Sequence, residues 1–142
     1  MEKDIFDAIW TLRRACTSAF LSYIDEEGFP MVRAMLVLEH ECATVQYFST
    51  NTSSGKVEAL RKNHKASVYY CDPENYQGAL FTGVIEVCTD EKTKRMLWRD
   101  GFEMYYPGGV TDPDYCVLKL TVQRGSHYHG LCNTKFLPSE LE

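Results

Sequence analysis

TVQYFSTNTSSGKVEALRKN, residues Thr44 to Asn63, is the stretch on which the fold turns. Its opening alternates, with Val45, Tyr47 and Ser49 pointing one way and Gln46, Phe48 and Thr50 the other, and its β-branched and aromatic side chains predict a strand. At Asn51-Thr52-Ser53-Ser54-Gly55 the composition changes to turn-formers. Lys56 then opens a short helix whose inward residues are Val57 and Leu60, with Ala59 beside them. A strand, a hydroxyl-rich turn and a helix N-terminus, in that order, suit an anion, because the first helical turn has unpaired N–H groups and the positive end of the macrodipole. Ser49, Thr50 and Ser54 offer hydroxyls to such an anion, and Lys56 a charge. The plainer alternative is that Ser54 only caps the helix and Lys56 is solvated. The stretch is not a Walker phosphate loop. Thr50 stands where that motif has its first glycine, and Val57 where it has Ser or Thr after the lysine.

Outward from that stretch, the chain of 142 residues is one domain, 1–142, large enough to bury about two-thirds of its unfolded surface. Twenty acidic against fifteen basic residues give a net charge of -5, which argues against a nucleic-acid partner. The one basic run, Arg61-Lys62-Asn63-His64-Lys65, falls where a helix ends and complements its dipole. The six cysteines form no CxxC pair, and several sit in apolar runs as small hydrophobes do. With no signal-peptide pattern at the N-terminus, reduced thiols in a cytoplasmic protein are expected. No window approaches the ~18 apolar residues of a membrane span, so no membrane partner is expected.

Before the central stretch, Lys3 to Cys16 reads as an amphipathic helix through Ile5, Ala8, Ile9, Leu12 and Cys16, with Arg13 and Arg14 near its end. Strands are predicted at Thr17 to Ile24 and Pro30 to Leu38, joined by the turn Asp25-Glu26-Glu27-Gly28. Arg33 stands out in the second because its neighbours are nearly all apolar. Its head either reaches water from a packed stem or points at a bound anion or polarised ring. After the central helix come strands at Ala66 to Cys71 and Ala79 to Val87, the latter with Gly83 inside it as a place for a bulge or close approach. Asp90 caps a second short helix, Glu91 to Arg99. An aromatic loop from Phe102 to Gly109 follows, and then strands at Cys116 to Val122 and Ser126 to Cys132. About seven short strands with short helices between them predict a mainly β protein, a small antiparallel barrel with helical decorations.

Two constellations stand apart. His127 and His129 share one face of a predicted strand with Cys132 close by, but no third ligand can be placed, so no metal site is expected. Trp98, Phe102, Tyr105 and Tyr106 are either core or the wall of a site for a flat ligand, under a loop tipped with Pro107-Gly108-Gly109.

Taken together, GFPMVRAM, YFST, SSGK with KVEALRKN, LFTGVIEV with Asp90, Leu97-Trp98, YYPGG and DPDYCVLKL resemble the pyridoxamine-phosphate-oxidase-like family of FMN-binding split barrels. The likeness is greatest to its small general-stress and nitroimidazole-resistance members. The resemblance implies a homodimer with FMN in a cleft between two split β-barrels. It implies that Arg33 and the backbone of Ala34 and Met35 run along the flavin ring, and that Ser49, Thr50, Ser54 and Lys56 hold the ribityl chain and phosphate. Trp98 and the Tyr106-Pro107-Gly108 loop would approach from the partner subunit. The chain departs from the oxidases proper in having Gly55 beside the phosphate lysine, and neither Trp nor Arg after Arg124.

The expected function is therefore FMN binding with flavin-dependent oxidoreductase chemistry on a small molecule, other than pyridoxamine-phosphate oxidation. No side chain is assigned as catalytic. The rival readings are a non-catalytic flavin-binding stress protein, a deazaflavin in place of FMN, and a haem-binding barrel with His127 or His129 as axial ligand.

Overall fold

The computed structural model describes residues 1–142. In chain order the elements are α1 (Lys3–Ala15), β1 (Ser18–Ile24), β2 (Pro30–Leu36), β3 (Val45–Asn51), α2 (Gly55–Lys62), β4 (Lys65–Asp72), β5 (Gln77–Cys88), α3 (Glu91–Leu97), β6 (Tyr115–His129) and β7 (Cys132–Phe136). The strands form a 7-stranded antiparallel sheet in the order β2-β1-β4-β5-β6-β3, with β7 beside β6. The sheet curls until its two end strands, β2 and β3, come into contact without pairing. This is a split barrel, mainly β with three short α-helices: the antiparallel barrel that the strand pattern predicts, split as the family resemblance implies.

Period-two burial runs through every central strand. Leu21, Val68, Tyr70, Phe81, Ile85, Leu118, Leu120 and Phe48 point inward and are buried. The ends of the curl are closed by Ile9 and Leu12 of α1 and by Val57, Ala59 and Leu60 of α2, which join the same core. Inside the barrel Tyr70 meets Phe81 edge-on at 5.6 Å and Phe81 meets Phe136 at 5.7 Å.

Element ends shift by one or two residues at several places, as where α3 stops at Leu97 rather than Arg99, and three further differences have physical reasons. The strands expected at Cys116 to Val122 and at Ser126 to Cys132 are one long strand, β6. The glycine between them, Gly125, does not break the chain. A Cβ there would sit 2.4 Å from the ring of Phe136, so this glycine clears room for an aromatic. A strand absent from the reading, β7, follows a tight turn at Gly130-Leu131, where Gly130 takes φ 60 and His129 pairs with Cys132. The strand expected to run to Leu38 stops at Leu36, beyond which the chain leaves the sheet for the connection to β3.

Gly83 has both roles anticipated for it. The β5–β6 register shifts at Thr82/Gly83, and a Cβ on Gly83 would lie 1.9 Å from the Thr121 carbonyl oxygen. Backbone cannot step aside as a side chain can. Gly83→Ala is expected to cost roughly 1–3 kcal/mol of stability, read as a lower urea midpoint. An unchanged midpoint would show that the bulge relaxes freely.

Candidate functional site

The turn between β3 and α2 is built as its sequence suggests. Ser54 is the N-cap of α2, and its Oγ accepts from the backbone N–H of Lys56 at 3.3 Å and from Lys56 Nζ at 3.0 Å. On the other flank, the Ser53 N–H donates to the Asp114 carboxylate at 2.8 Å, and the Thr52 N–H to the Asp114 carbonyl at 2.7 Å. The turn is thus pinned to the segment that enters β6.

Lys56 is only partly exposed, and no carboxylate forms an ion pair with it. Burial holds its ammonium below the ordinary value of 10.5, and the like charge of Arg33 pushes the same way. Arg33 itself lies on β2, which meets β3 across the split. In β2, Arg33 shares its face with Met31 and Met35 and lies opposite the fully buried Leu21. By alternation it belongs to the inward set, yet it is exposed, because the sheet is open along this edge. Its Nη1 donates to the carbonyl of Val32 at 3.1 Å, and no acid pairs with it either. Neither cation is neutralised by an acid.

Strand β3 divides the remaining predicted residues between its two faces. Thr50 turns inward, opposite Cys116, a buried thiol raised by burial and opposed by the charges of Arg61 and Lys56. Ser49 turns the other way, and its hydroxyl meets the Tyr115 hydroxyl at 3.1 Å. Tyr115 is fully buried and donates to the Lys94 carbonyl at 3.0 Å in α3. Around it stand Trp98 at 5.2 Å, Tyr106 at 4.8 Å and Phe102 at 6.5 Å between ring centres. Burial pushes the Tyr106 phenol up to about 12. The following turn is held by the Gly108 N–H, which donates to the Asp112 carboxylate at 2.9 Å, while Pro107 and Gly108 themselves are exposed.

Arg33, Thr50, Ser54 and Lys56 therefore gather on the inner side of β3. Ser49, Trp98 and Tyr106 gather on its outer side. Ala34 is exposed on the outer face of β2 beside Phe20, whereas Met35 is buried. One chain does not bring the two groups together. Sequence reasoning missed Tyr115, the hub of the outer group. Its only signal is its place directly after Asp112-Pro113-Asp114, the turn that starts β6.

The two histidines are unlike. His127 is buried and its Nε2 lies 3.1 Å from the Gln77 amide nitrogen, while His129 is exposed at the hairpin end. Burial, and then the charge of His129, lower the His127 pKa.

Comparison places this architecture among known proteins. The chain matches the family described as "Pyridoxamine 5'-phosphate oxidase like" over residues 4–136. It belongs to the pyridoxamine 5'-phosphate oxidase-like family. A Clostridium acetobutylicum protein related to general stress protein 26 is 34% identical, with a TM-score of 0.90 over 100% of both chains. General stress protein 26 of Bacillus anthracis is 17% identical, with a TM-score of 0.73 over 92% of this chain and 98% of that one. A heme binding protein of Mycobacterium smegmatis is 15% identical, with a TM-score of 0.78 over 99% of this chain and 61% of that one. These last two likenesses are of fold. No curated protein sequence matches the chain. No helix is long and apolar enough to cross a membrane.

Proposed function

We propose that the chain binds FMN at the split between β2 and β3, as a cytoplasmic homodimer, and that the flavin carries out redox chemistry on a small molecule. The observations that carry this reading are the Ser54-capped start of α2, where the half-buried Lys56 has no ion-pair partner, and the inward register of Arg33 on β2, likewise without an acid, whose like charge acts on Lys56. A half-buried ammonium with a like charge acting on it is unfavourable unless an anion joins it. A phosphate fits there. It would accept from Lys56, from the hydroxyl of Ser54 and from N–H groups of the first helical turn, as anions do at helix starts. Thr50 lies on the same side, and Arg33 with the backbone of Ala34 and Met35 would border the ring.

The outer group supports a second subunit in the site. Ser49, Trp98 and the Tyr106-Pro107-Gly108 loop lie across β3 from the cations, so a ligand on both groups needs a second copy. Val32, Leu36, Phe20 and Phe29 leave an apolar outer face on β1 and β2 and the turn between them, with Phe29 60% and Val32 56% exposed. Bound FMN would supply hydride or electron transfer, while the chain supplies orientation and electrostatics. Pyridoxamine phosphate is not the substrate proposed, because the segment after β6 lacks the Trp and Arg of the oxidases proper. Of the two histidines weighed as axial ligands for haem, His127 is buried and engaged with Gln77, whereas His129 is exposed. The absorption spectrum of freshly purified protein separates flavin from haem, by a flavin pair of bands or a Soret band.

Lys56→Ala is expected to weaken FMN about ten- to a hundredfold, the worth of one charge-assisted partner, and to leave riboflavin nearly unaffected. Only the protonated amine binds phosphate well. Since burial lowers its pKa, FMN affinity should fall as the solution is made alkaline, beginning below the ordinary lysine value of 10.5. Equal losses of FMN and riboflavin in the titrated variant would refute the phosphate role. Sedimentation at micromolar concentration should give about twice the chain mass, and a monomer that binds FMN at full stoichiometry would exclude the shared site. Arg33→Met should lower the reduction potential of bound flavin by about 30 mV for each 1.4 kcal/mol of lost stabilisation of the charge that reduction brings. An unchanged potential would leave Arg33 a packing residue.

A further inference from the structure

Of the five buried side-chain polar atoms that find no partner, four belong to Trp10, Arg13 and Glu39: Trp10 Nε1, Arg13 Nε and Nη2, and Glu39 Oε2. Arg13 is fully buried although it is charged, and no carboxylate lies within ion-pairing distance of it. Its guanidinium carbon stands 5.2 Å from the ring centre of Tyr70, 5.5 Å from Trp10 and 5.8 Å from Phe81. Three rings make an aromatic cage for the cation and offset part of its desolvation. Burial raises the Tyr70 phenol, with the Arg13 charge opposing and the Glu39 charge adding to that rise.

What the buried cation holds is the connection between β2 and β3. Arg13 Nη1 donates to the His40 carbonyl at 3.3 Å. The same segment is tied down by Gln46 Nε2, which donates to the Ala43 carbonyl at 3.0 Å, and Tyr70 in turn donates to Gln46 Oε1 at 2.9 Å. Glu39 Oε1 accepts from the Cys42 N–H at 2.7 Å and closes the turn. The anchors of this connection therefore come from the barrel interior. Strands β2 and β3 exchange no ladder hydrogen bonds and are joined through the sheet only by the long way round, β2-β1-β4-β5-β6-β3, so the connection is the short covalent link across the split.

We propose that Arg13 is a positioning residue for the flavin site. By holding the His40 carbonyl at the barrel end, it sets the distance between Arg33 on one lip and the Lys56 turn beyond the other. The inference rests on the flavin reading above. A ligand that touches only one lip is indifferent to that distance, whereas one that spans both loses the gain from binding at two places.

The test compares wild type with Arg13→Met and Arg13→Lys, using FMN, lumiflavin (the ring without the phosphate arm) and amide hydrogen exchange. Arg13→Met should bind FMN about tenfold more weakly, bind lumiflavin as before, and lose protection across residues 40–46. Arg13→Lys should recover part of the FMN affinity by returning a donor to His40. A folded Arg13→Met with wild-type FMN affinity, or with lumiflavin weakened as much as FMN, overturns the proposal. If Arg13→Met does not fold, two glycines inserted between Glu41 and Cys42 lengthen the connection and leave the cage in place. The same FMN loss is then expected, and unchanged FMN affinity overturns the proposal. Wild-type protein that takes up no FMN overturns the functional reading itself. Exchange in the ligand-free protein then decides the latch, and unchanged protection at 40–46 in the variant overturns that as well.

Discussion

A sheet that curls far enough to enclose a core must either pair its two ends or leave a seam between them. Here the ends, β2 and β3, meet without pairing, and much of the molecule answers to that seam. Backbone groups left free along two facing edges are a liability in most sheets. In this chain α2 and the β2–β3 connection flank the seam. An inward-register arginine is exposed at this edge, and neither it nor Lys56 is neutralised by an acid. The function proposed for the protein rests on a barrel that does not quite close.

The residues that decided the strand and helix of the central stretch were legible because local and global demands agree there. Alternation at Val45 to Thr50, the turn-formers after it and the Ser54 cap each point to the structure that forms. The run from Cys116 to Cys132 was misread because glycine has two uses. Gln123-Arg124-Gly125-Ser126 looks like a turn, but Gly125 is small because Phe136 packs over it, and Phe136 lies in a strand not yet recognised. No local pattern carries that information. Arg13 is a milder case. It falls four residues after Ile9 and one after Leu12, on the apolar stripe of α1, so its burial was readable from spacing. The three rings that make the burial tolerable come from α1, β4 and β5 and were not.

The candidate site shows the same limit. Alternation correctly separated Ser49 from Thr50, yet it could not say that each would find a different neighbourhood, one under the aromatic cluster and one beside Cys116. Lys56 was singled out for its helix start. That no acid forms an ion pair with it, and that the charge of Arg33 acts on it from β2, depend on the whole curl.

Strand β6 divides one of its edges between β3, along Tyr115 to Thr121, and β7, along Gly125 to His129. This has a consequence for how the molecule is made. The pairings of β1 with β2, β4 with β5, and β6 with β7 join neighbours in the chain and can form as soon as each is synthesised. Strand β3 has no such neighbour. Its only ladder is to β6, beyond α2, β4, β5 and α3, so on a growing chain it waits with both edges bare until the sixth strand emerges. The Lys56 turn, pinned through Asp114 to the start of that strand, is completed only then. The strand that bears the proposed phosphate turn is therefore paired late, and during synthesis it is the strand most open to wrong partners.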